Sequence, residues 1–565
     1  MKSSRITRTL QYLTPFVFVV SILVSIIVAL ASSVDPNGEV VVLASIVKTL
    51  ALLPVNILLF GGCECLRSGY LSGIRIEISK YFDKIANGAV VPYFNRRVFV
   101  YMAFLLLCWI PYAIMLYPGV VTFDTSFQLC QFFGNEMPGI FPVPDGFAFT
   151  DHHPIMVTLL FGSIVSLGKA LASYNVGFFL VCLFVAMLTA MAMGVSVRRL
   201  EAYGLPRRFA FVLLGFFAFF PLFPFMAMTP SKDSLSVPLY LLFTLCVFEI
   251  VATHGRRLDD RRFFAILLTV SVLLPLAKKT GVYVLALVLF ALFILFNRNR
   301  SRLMITGVVS LAFCLVLVPK VVFPALDVAK GSSVEMFGPL YQQTARYVFE
   351  HKDEIDPKNR DAIDKVLGFD SLDDRYNFSI VDTVIHAYDE MNLNPSLNDL
   401  LDYLGSYISL GLRHPGTYLE SFIVLEKGWF DTNESMLFAE GDGLQLAPPN
   451  GQPDIRRSDI GQKIAAYPRS LMSWLSEVPG IDIFFLPALY TLLLPCACMV
   501  LLKGSGSNVV LIPTFVSLLF LLLSPVSLVS SNIEALRYLL PFVYTSPLLL
   551  AMALLLASLK SKLNA

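Results

Sequence analysis

Twelve stretches of mainly apolar residues recur along this chain, near 12–32, 42–62, 98–116, 174–196, 209–227, 235–253, 263–277, 281–297, 303–323, 484–502, 509–529 and 538–558. A helix of about 20 such residues crosses a hydrocarbon layer about 30 Å thick. Within that layer a helix satisfies its own backbone hydrogen bonds, so a chain dominated by such runs is expected to fold as an all-α polytopic membrane protein with about twelve spans. Composition agrees, since only 15% of the residues are charged and 56% are hydrophobic, against roughly 25% charged in soluble domains. The net charge of +2 is spread over short basic clusters rather than one stripe, which argues against a nucleic-acid partner.

Those basic clusters report topology. They occur at Lys2/Arg5/Arg8, Arg67 to Arg97, Arg198 to Arg208, Arg256 to Arg262, Arg298 to Arg302, Lys503 and Lys560/Lys562. With twelve spans all of them fall on one side, which the excess of Lys and Arg in cytoplasmic loops identifies as the inside. A plasma-membrane protein with cytoplasmic N- and C-termini is expected. The run from Tyr12 to Ala31 is too long for a signal-peptide core and reads as a retained first span. Segment 154–170 is apolar but short, and counting it as a span would invert the arginines at 198–208. It is therefore expected as a juxtamembrane or re-entrant helix on the outer face.

Four regions follow: 1–97, with two spans and a cytoplasmic loop; 98–323, a transmembrane core with a first outer loop at 117–174; 324–480, an outer, mostly helical domain; and 481–565, the C-terminal spans. Most of the nine cysteines lie within apolar runs, where a thiol behaves as a small hydrophobe, so disulfides are not expected to hold the outer domain. The Cys63/Cys65 pair lacks the further ligands of a zinc site.

Chemistry concentrates in the first outer loop. Asp124, in Tyr117 to Gln128, is a carboxylate placed to accept a proton from a hydroxyl; the alternative is that it caps the helix that follows. Asp145 lies further along the loop. Asp151-His152-His153-Pro154 could orient a substrate, hold a divalent metal or cap the next helix. Lys232 and Asp233, Lys278 and Lys279, and Arg537 stand where apolar spans meet the outer face. They could hold a lipid phosphate, snorkel to the interface, or, for Lys232 and Asp233, form an internal ion pair. In the outer domain Gln342, Gln343, Arg346, His386, His414, Glu426, Lys427, Trp429, Asp431 and Glu434 read mostly as solvated surface, and the aromatic and charged stretch from His414 to Asp431 would suit sugar stacking. Phosphate-loop, dinucleotide-binding, nucleophile-elbow and His-Glu-x-x-His motifs are all missing from the sequence, which removes support for nucleotide-driven transport and common hydrolase chemistry.

The layout resembles the GT-C superfamily of membrane glycosyltransferases, and looks closest to an uncharacterised bacterial multi-spanning group related to them. The resemblance rests on the acidic first loop, the His-Pro element opening the next helix, Ser231-Lys232-Asp233, and an outer domain before the last spans. It implies transfer of a sugar from a polyprenyl-phosphate carrier to a glycan, lipid or protein acceptor on the outer face. Carried over by position, Asp124 would be the base, Asp151 to His153 would place donor or acceptor, and Lys232 or Arg537 would hold the carrier phosphate. No cofactor is required on this reading, and a divalent metal is compatible with it. The rival expectation is a lipid or polysaccharide transporter that carries out no chemistry, and a third is a scaffold for envelope assembly.

Overall fold

The computed structural model describes residues 14–70, 93–135, 143–331, 337–385, 393, 395–436, 446, 448, 452–504, 506–524 and 533–560. The expected cytoplasmic termini, with Lys2, Arg5, Arg8 and Lys562, lie outside the described residues, as does His386. Among the described residues the fold is helical throughout, apart from one two-stranded parallel sheet and two isolated bridges. It is an all-α protein built for a membrane.

Its first half comprises α1 (Pro15–Ala31), α2 (Val42–Cys65), α3 (Arg96–Met115), α4 (Phe123–Phe132), α5 (Ile155–Leu171), α6 (Tyr174–Ala202), α7 (Arg207–Phe219), α8 (Leu222–Ala227), α9 (Lys232–Ala252), α10 (Arg261–Ala277), α11 (Gly281–Leu295) and α12 (Arg300–Ala312). Six described helices are long and apolar enough to cross a membrane: Val42–Ser68, Arg96–Met115, Tyr174–Ala202, Lys232–Ala252, Arg300–Ala325 and Arg537–Ser558. The other apolar helices are shorter. The 209–227 run, expected as one span, is broken at Phe220 and Pro221 into α7 and α8, because proline has no N–H to donate to the preceding turn.

Burial separates centre from rim. The apolar window of α9 is 89% buried and that of Arg537–Ser558 83%, whereas that of Val42–Ser68 is 11% buried. A helix apolar all round belongs in the middle of a bundle, and one whose Leu43, Leu50 and Leu58 stay exposed presents them to lipid. Segment 154–170 does not lie free on a surface. It forms α5, which turns at Ala172 and Ser173 straight into α6 and packs along it. Gly168 and Gly177 make this possible, since a Cβ on either would overlap the backbone of the other helix.

The segment expected as the outer domain contains α13 (Gly338–His351), α14 (Pro357–Leu367), α15 (Leu397–Arg413) and α16 (Pro415–Phe430). It has its own core of Tyr341, Tyr347, Val348, Ile363, Leu410 and their neighbours up to Tyr418. From Trp429 onward, however, side chains join the core of the bundle, including Ala465 and Met472 of α17 (Asp459–Ser476). The loop between α1 and α2 docks on this domain: Arg346 donates to Gly38 O at 3.0 Å and pairs with Glu420 at 2.9 Å. The chain closes with α18 (Leu494–Leu501), α19 (Ile512–Leu522) and α20 (Leu540–Lys560).

At the far end of α6 and α9 from the outer domain sits a buried ionic clasp. Glu249 receives Arg199 through two bonds of 2.6 and 2.8 Å, Arg257 at 3.0 Å and the Tyr203 hydroxyl at 3.3 Å. Arg257 also pairs with Asp260 at 2.9 Å, and the Arg199 guanidinium lies over the Tyr93 ring. Bidentate and stacked geometry of this kind suits arginine.

Candidate functional site

The turn Tyr117–Gly119 carries the chain from α3 into the bundle. Gly119 has φ +131°, and a Cβ there would collide with Cys182 Sγ and the Phe178 ring. Its carbonyl accepts from Arg457 at 2.7 Å, and the next residue, Val120, donates to Met228 O at 2.8 Å. Replacing Gly119 with alanine is expected to destabilise the protein by about 1–3 kcal/mol, the usual cost of a strained backbone position. A melting temperature in detergent equal to that of the native chain would overturn this.

Thr122, not Asp124, caps α4: its hydroxyl accepts from Thr125 N at 3.4 Å. Thr125 in turn donates to Pro230 O at 2.7 Å, locking α4 against the start of α9. Asp124 is thereby left without a capping role and turns into the bundle, where it is 5% exposed. Of the two readings, base or cap, the capping one is removed, because the short α4 folds inward.

Arg537 and Lys232 both reach Asp124 Oδ2, the lysine at 2.7 Å. Lys232 Nζ also meets His153 Nδ1 at 2.9 Å, and that nitrogen lies 3.8 Å from Asp124. His152 and His153 pack edge to face with centroids 4.5 Å apart, and Phe127 packs on both. Asp233 takes Lys278 at 2.5 Å and Arg537 at 3.8 Å. Lys279 pairs with the Asp151 carboxylate at 2.9 Å. Asp151 is placed by the sheet of β1 (Phe149–Thr150) and β2 (Val328–Ala329): its N–H donates to Ala329 O at 2.8 Å. Gly331 passes so close that a Cβ there would clash with the Asp151 backbone.

Seven of the eight predicted residues, Asp124, His152, His153, Lys232, Asp233, Lys278 and Arg537, therefore join one network, and the eighth, Asp151, pairs with Lys279 beside it. Burial pulls His153 well below its usual range and His152 down to about 3, with Lys232 adding to both, so neither imidazole carries charge at neutral pH. Three carboxylates then face four cations, leaving one surplus positive charge. Burial opposes ionisation of Asp124, but Arg537 and Lys232 outweigh it and hold its carboxyl well below the usual carboxylate range. It is a weak proton acceptor. Asp151 is the reverse case: burial raises its carboxyl, and Lys279 only partly offsets that.

Beside Lys278 a cavity of about 70 Å³ opens between α9, α11 and α19, lined by Tyr240, Leu274, Phe520, Tyr538 and Phe542 among others. Its polar groups include the Tyr240 and Ser517 hydroxyls, 3.0 Å apart, Ser236, Thr280, and Lys278 itself, which sits over the Tyr538 ring. The slot is narrow and apolar, with a cation at one end.

A family model matches residues 3–562. The chain belongs to DUF6020, a family of unknown function. No curated protein and no solved structure matches it.

In this DUF6020 protein the Asp151-His152-His153 element does not converge as a metal site. His153 Nδ1 is engaged by Lys232, and Lys232, Lys279 and Arg537 would repel a divalent cation. Several outer-domain residues expected on the surface are buried instead. Trp429 is fully enclosed and cannot stack on a sugar, and Glu426, Arg346, Gln342 and Asp431 are also inside. Burial pushes the Glu426 carboxyl well above its usual range. Asp145 stays on an exposed turn, remote from the network's contacts. Sequence reading passed over Tyr538, whose ring lies under Lys278 and Arg537; an aromatic residue at a helix end carries no pattern that would single it out.

Proposed function

We propose that this DUF6020 protein is a GT-C-type glycosyltransferase that moves a sugar from a polyprenyl-phosphate carrier to a cell-envelope acceptor. On this reading it has about twelve spans, cytoplasmic termini, and its site on the outer side of the plasma membrane. The observation that carries the proposal is the buried cluster with one surplus positive charge, set beside an apolar slot between helices. A buried surplus charge favours an anion that brings its own hydrophobic tail, and a lipid phosphate is such an anion. Lys232 and Arg537 take the phosphate, and Asp124 holds both cations in place for it.

The base role moves from Asp124 to Asp151, because a carboxylate already shared by two cations accepts protons poorly while a raised one accepts them well. Asp151 takes the proton of the acceptor hydroxyl. The acceptor oxygen then bonds to the anomeric carbon as the bond from that carbon to the phosphate oxygen breaks, with inversion, and the polyprenyl phosphate leaves with its charge met by Lys232 and Arg537. No cofactor enters the step.

The test is lipid mass spectrometry of membranes from cells carrying the native chain, Asp124→Asn, Asp151→Asn, or no copy. A polyprenyl-phosphate sugar is expected to accumulate in both variants and in the deletion. Unchanged lipids in all of them would remove the transferase reading. A transporter of lipid-linked anions is the second reading, favoured by the helix breaks at Phe220–Pro221 and Lys278–Thr280 near the cluster. It predicts accumulation of the same lipid on the inner leaflet only.

A further inference from the structure

Away from the charged cluster, the outer domain gathers a second set of ligand-type side chains. His351 ends α13, Glu354 lies in the single turn Lys352–Glu354 that follows, and His414 forms the corner between α15 and α16. His351 Nδ1 lies 3.3 Å from one carboxylate oxygen of Glu354, and His414 Nε2 lies 2.9 Å from the other. The three ligand atoms all fall within 4.8 Å of one another. The chain has only six histidines, so two of them meeting on one carboxylate from positions 63 apart is not explained by abundance.

The rest of the environment holds these two rings in place. The imidazoles stack with centroids 4.0 Å apart and planes at 21°. The far nitrogen of His351 is also engaged: Nε2 lies 3.2 Å from Thr417 Oγ1, and that hydroxyl donates to Glu350 Oε2 at 2.9 Å. A metal-bound histidine commonly ties its other nitrogen to a polar partner in this way, which fixes ring orientation. The three side chains are partly open to solvent, at 21%, 51% and 31% exposed, so an ion has a path in.

We propose that His351, Glu354 and His414 bind a divalent transition metal of the zinc class. Two imidazoles and one carboxylate suit zinc at about 2.0–2.2 Å per bond and suit magnesium or calcium poorly. Ligand atoms now 2.9 and 3.3 Å apart need small side-chain shifts to surround such an ion. Three protein ligands leave a fourth position for water or another group, and the ion would clasp the end of α13 to the α15–α16 corner. The proposal stands independently of the transferase reading.

The experiment is calorimetric titration of the full-length, chelator-stripped protein in detergent with zinc and, separately, with magnesium. One zinc per chain and no magnesium is expected. His351→Ala and His414→Ala are each expected to lose the site, Glu354→Gln to weaken it strongly, and Thr417→Val to weaken it about 10-fold. The His152→Ala/His153→Ala double variant is expected to keep it. Thermal melting guards against misfolding: stripped Glu354→Gln should melt like the stripped native chain, and zinc should raise the native midpoint alone. No stoichiometric zinc in the native chain, zinc that survives both His351→Ala and His414→Ala, or zinc lost with His152 and His153 would each overturn the assignment.

Discussion

Glu249→Ala is expected to cost this protein about 3–5 kcal/mol of stability, the usual penalty for removing one partner of a buried ion pair. The variant leaves two guanidiniums, Arg199 at 1% exposed and Arg257 at 8%, facing each other without the carboxylate that both now bind. Tyr203 loses its acceptor as well. The penalty belongs to the stranded charges rather than to the pair as such. Replacing the whole set, with Arg199→Met, Glu249→Leu and Arg257→Met together, is therefore expected to recover most of the loss, since a well-packed apolar set is often as stable as a buried ionic one. Chemical denaturation in detergent measures both. A Glu249→Ala chain as stable as the native one, or a triple variant much less stable than the single, would sink this account of the clasp.

On the transferase reading proposed above, Arg537→Met is expected to slow transfer by about 10²–10³-fold, the scale seen when one pre-placed donor to a developing charge is removed. Arg537 is the group that ties the two halves of the cluster together, reaching Asp124 and Asp233 at once. Arg537→Lys keeps the charge but reaches fewer oxygens, so it should retain part of the rate. Because the methionine variant also takes one cation from each of two buried carboxylates, the amount of folded protein must be measured beside the rate, and the fall in rate is expected to exceed the fall in folded chain. The pH profile separates the two carboxylates. A base works only when deprotonated, so activity falls as pH drops through its pKa. Burial raises Asp151, placing that acid limb above the ordinary carboxylate value of about 3.9, whereas Asp124 is held below it. An acid limb below about pH 4 would return the base role to Asp124.

Much of the cluster was legible in the chain because each member interrupts an apolar run. A charge at the head of a span costs free energy unless something pairs with it, so Lys232, Asp233, Lys278 and Arg537 stand out against their surroundings. Their partners do not. Arg537 meets Asp124 from more than 400 positions away, and no local pattern connects the last span with the first outer loop. The same holds for the clasp: Glu249 sits inside a run that read as an ordinary span and Arg199 in a basic cluster that reported topology, and only the crossing of α6 and α9 brings them face to face. His351 and His414 were seen separately or not at all for the same reason. The outer domain misled in the opposite direction, since Trp429 and Glu426 read as part of a solvated segment yet are buried in a core that the surrounding helices build.

Hydropathy alone makes this an all-α membrane protein, because the transfer of an apolar run into hydrocarbon and the internal pairing of its backbone depend on that run and nothing further away. Ionic partnership is different in kind. Coulomb attraction between two side chains is set by their separation and by the water excluded around them, and both are properties of the packed bundle. It took the inward turn of α4, held by Thr125 on Pro230 and by the close passage of Gly119, to convert Asp124 from a loop carboxylate into the anion that gathers Lys232 and Arg537.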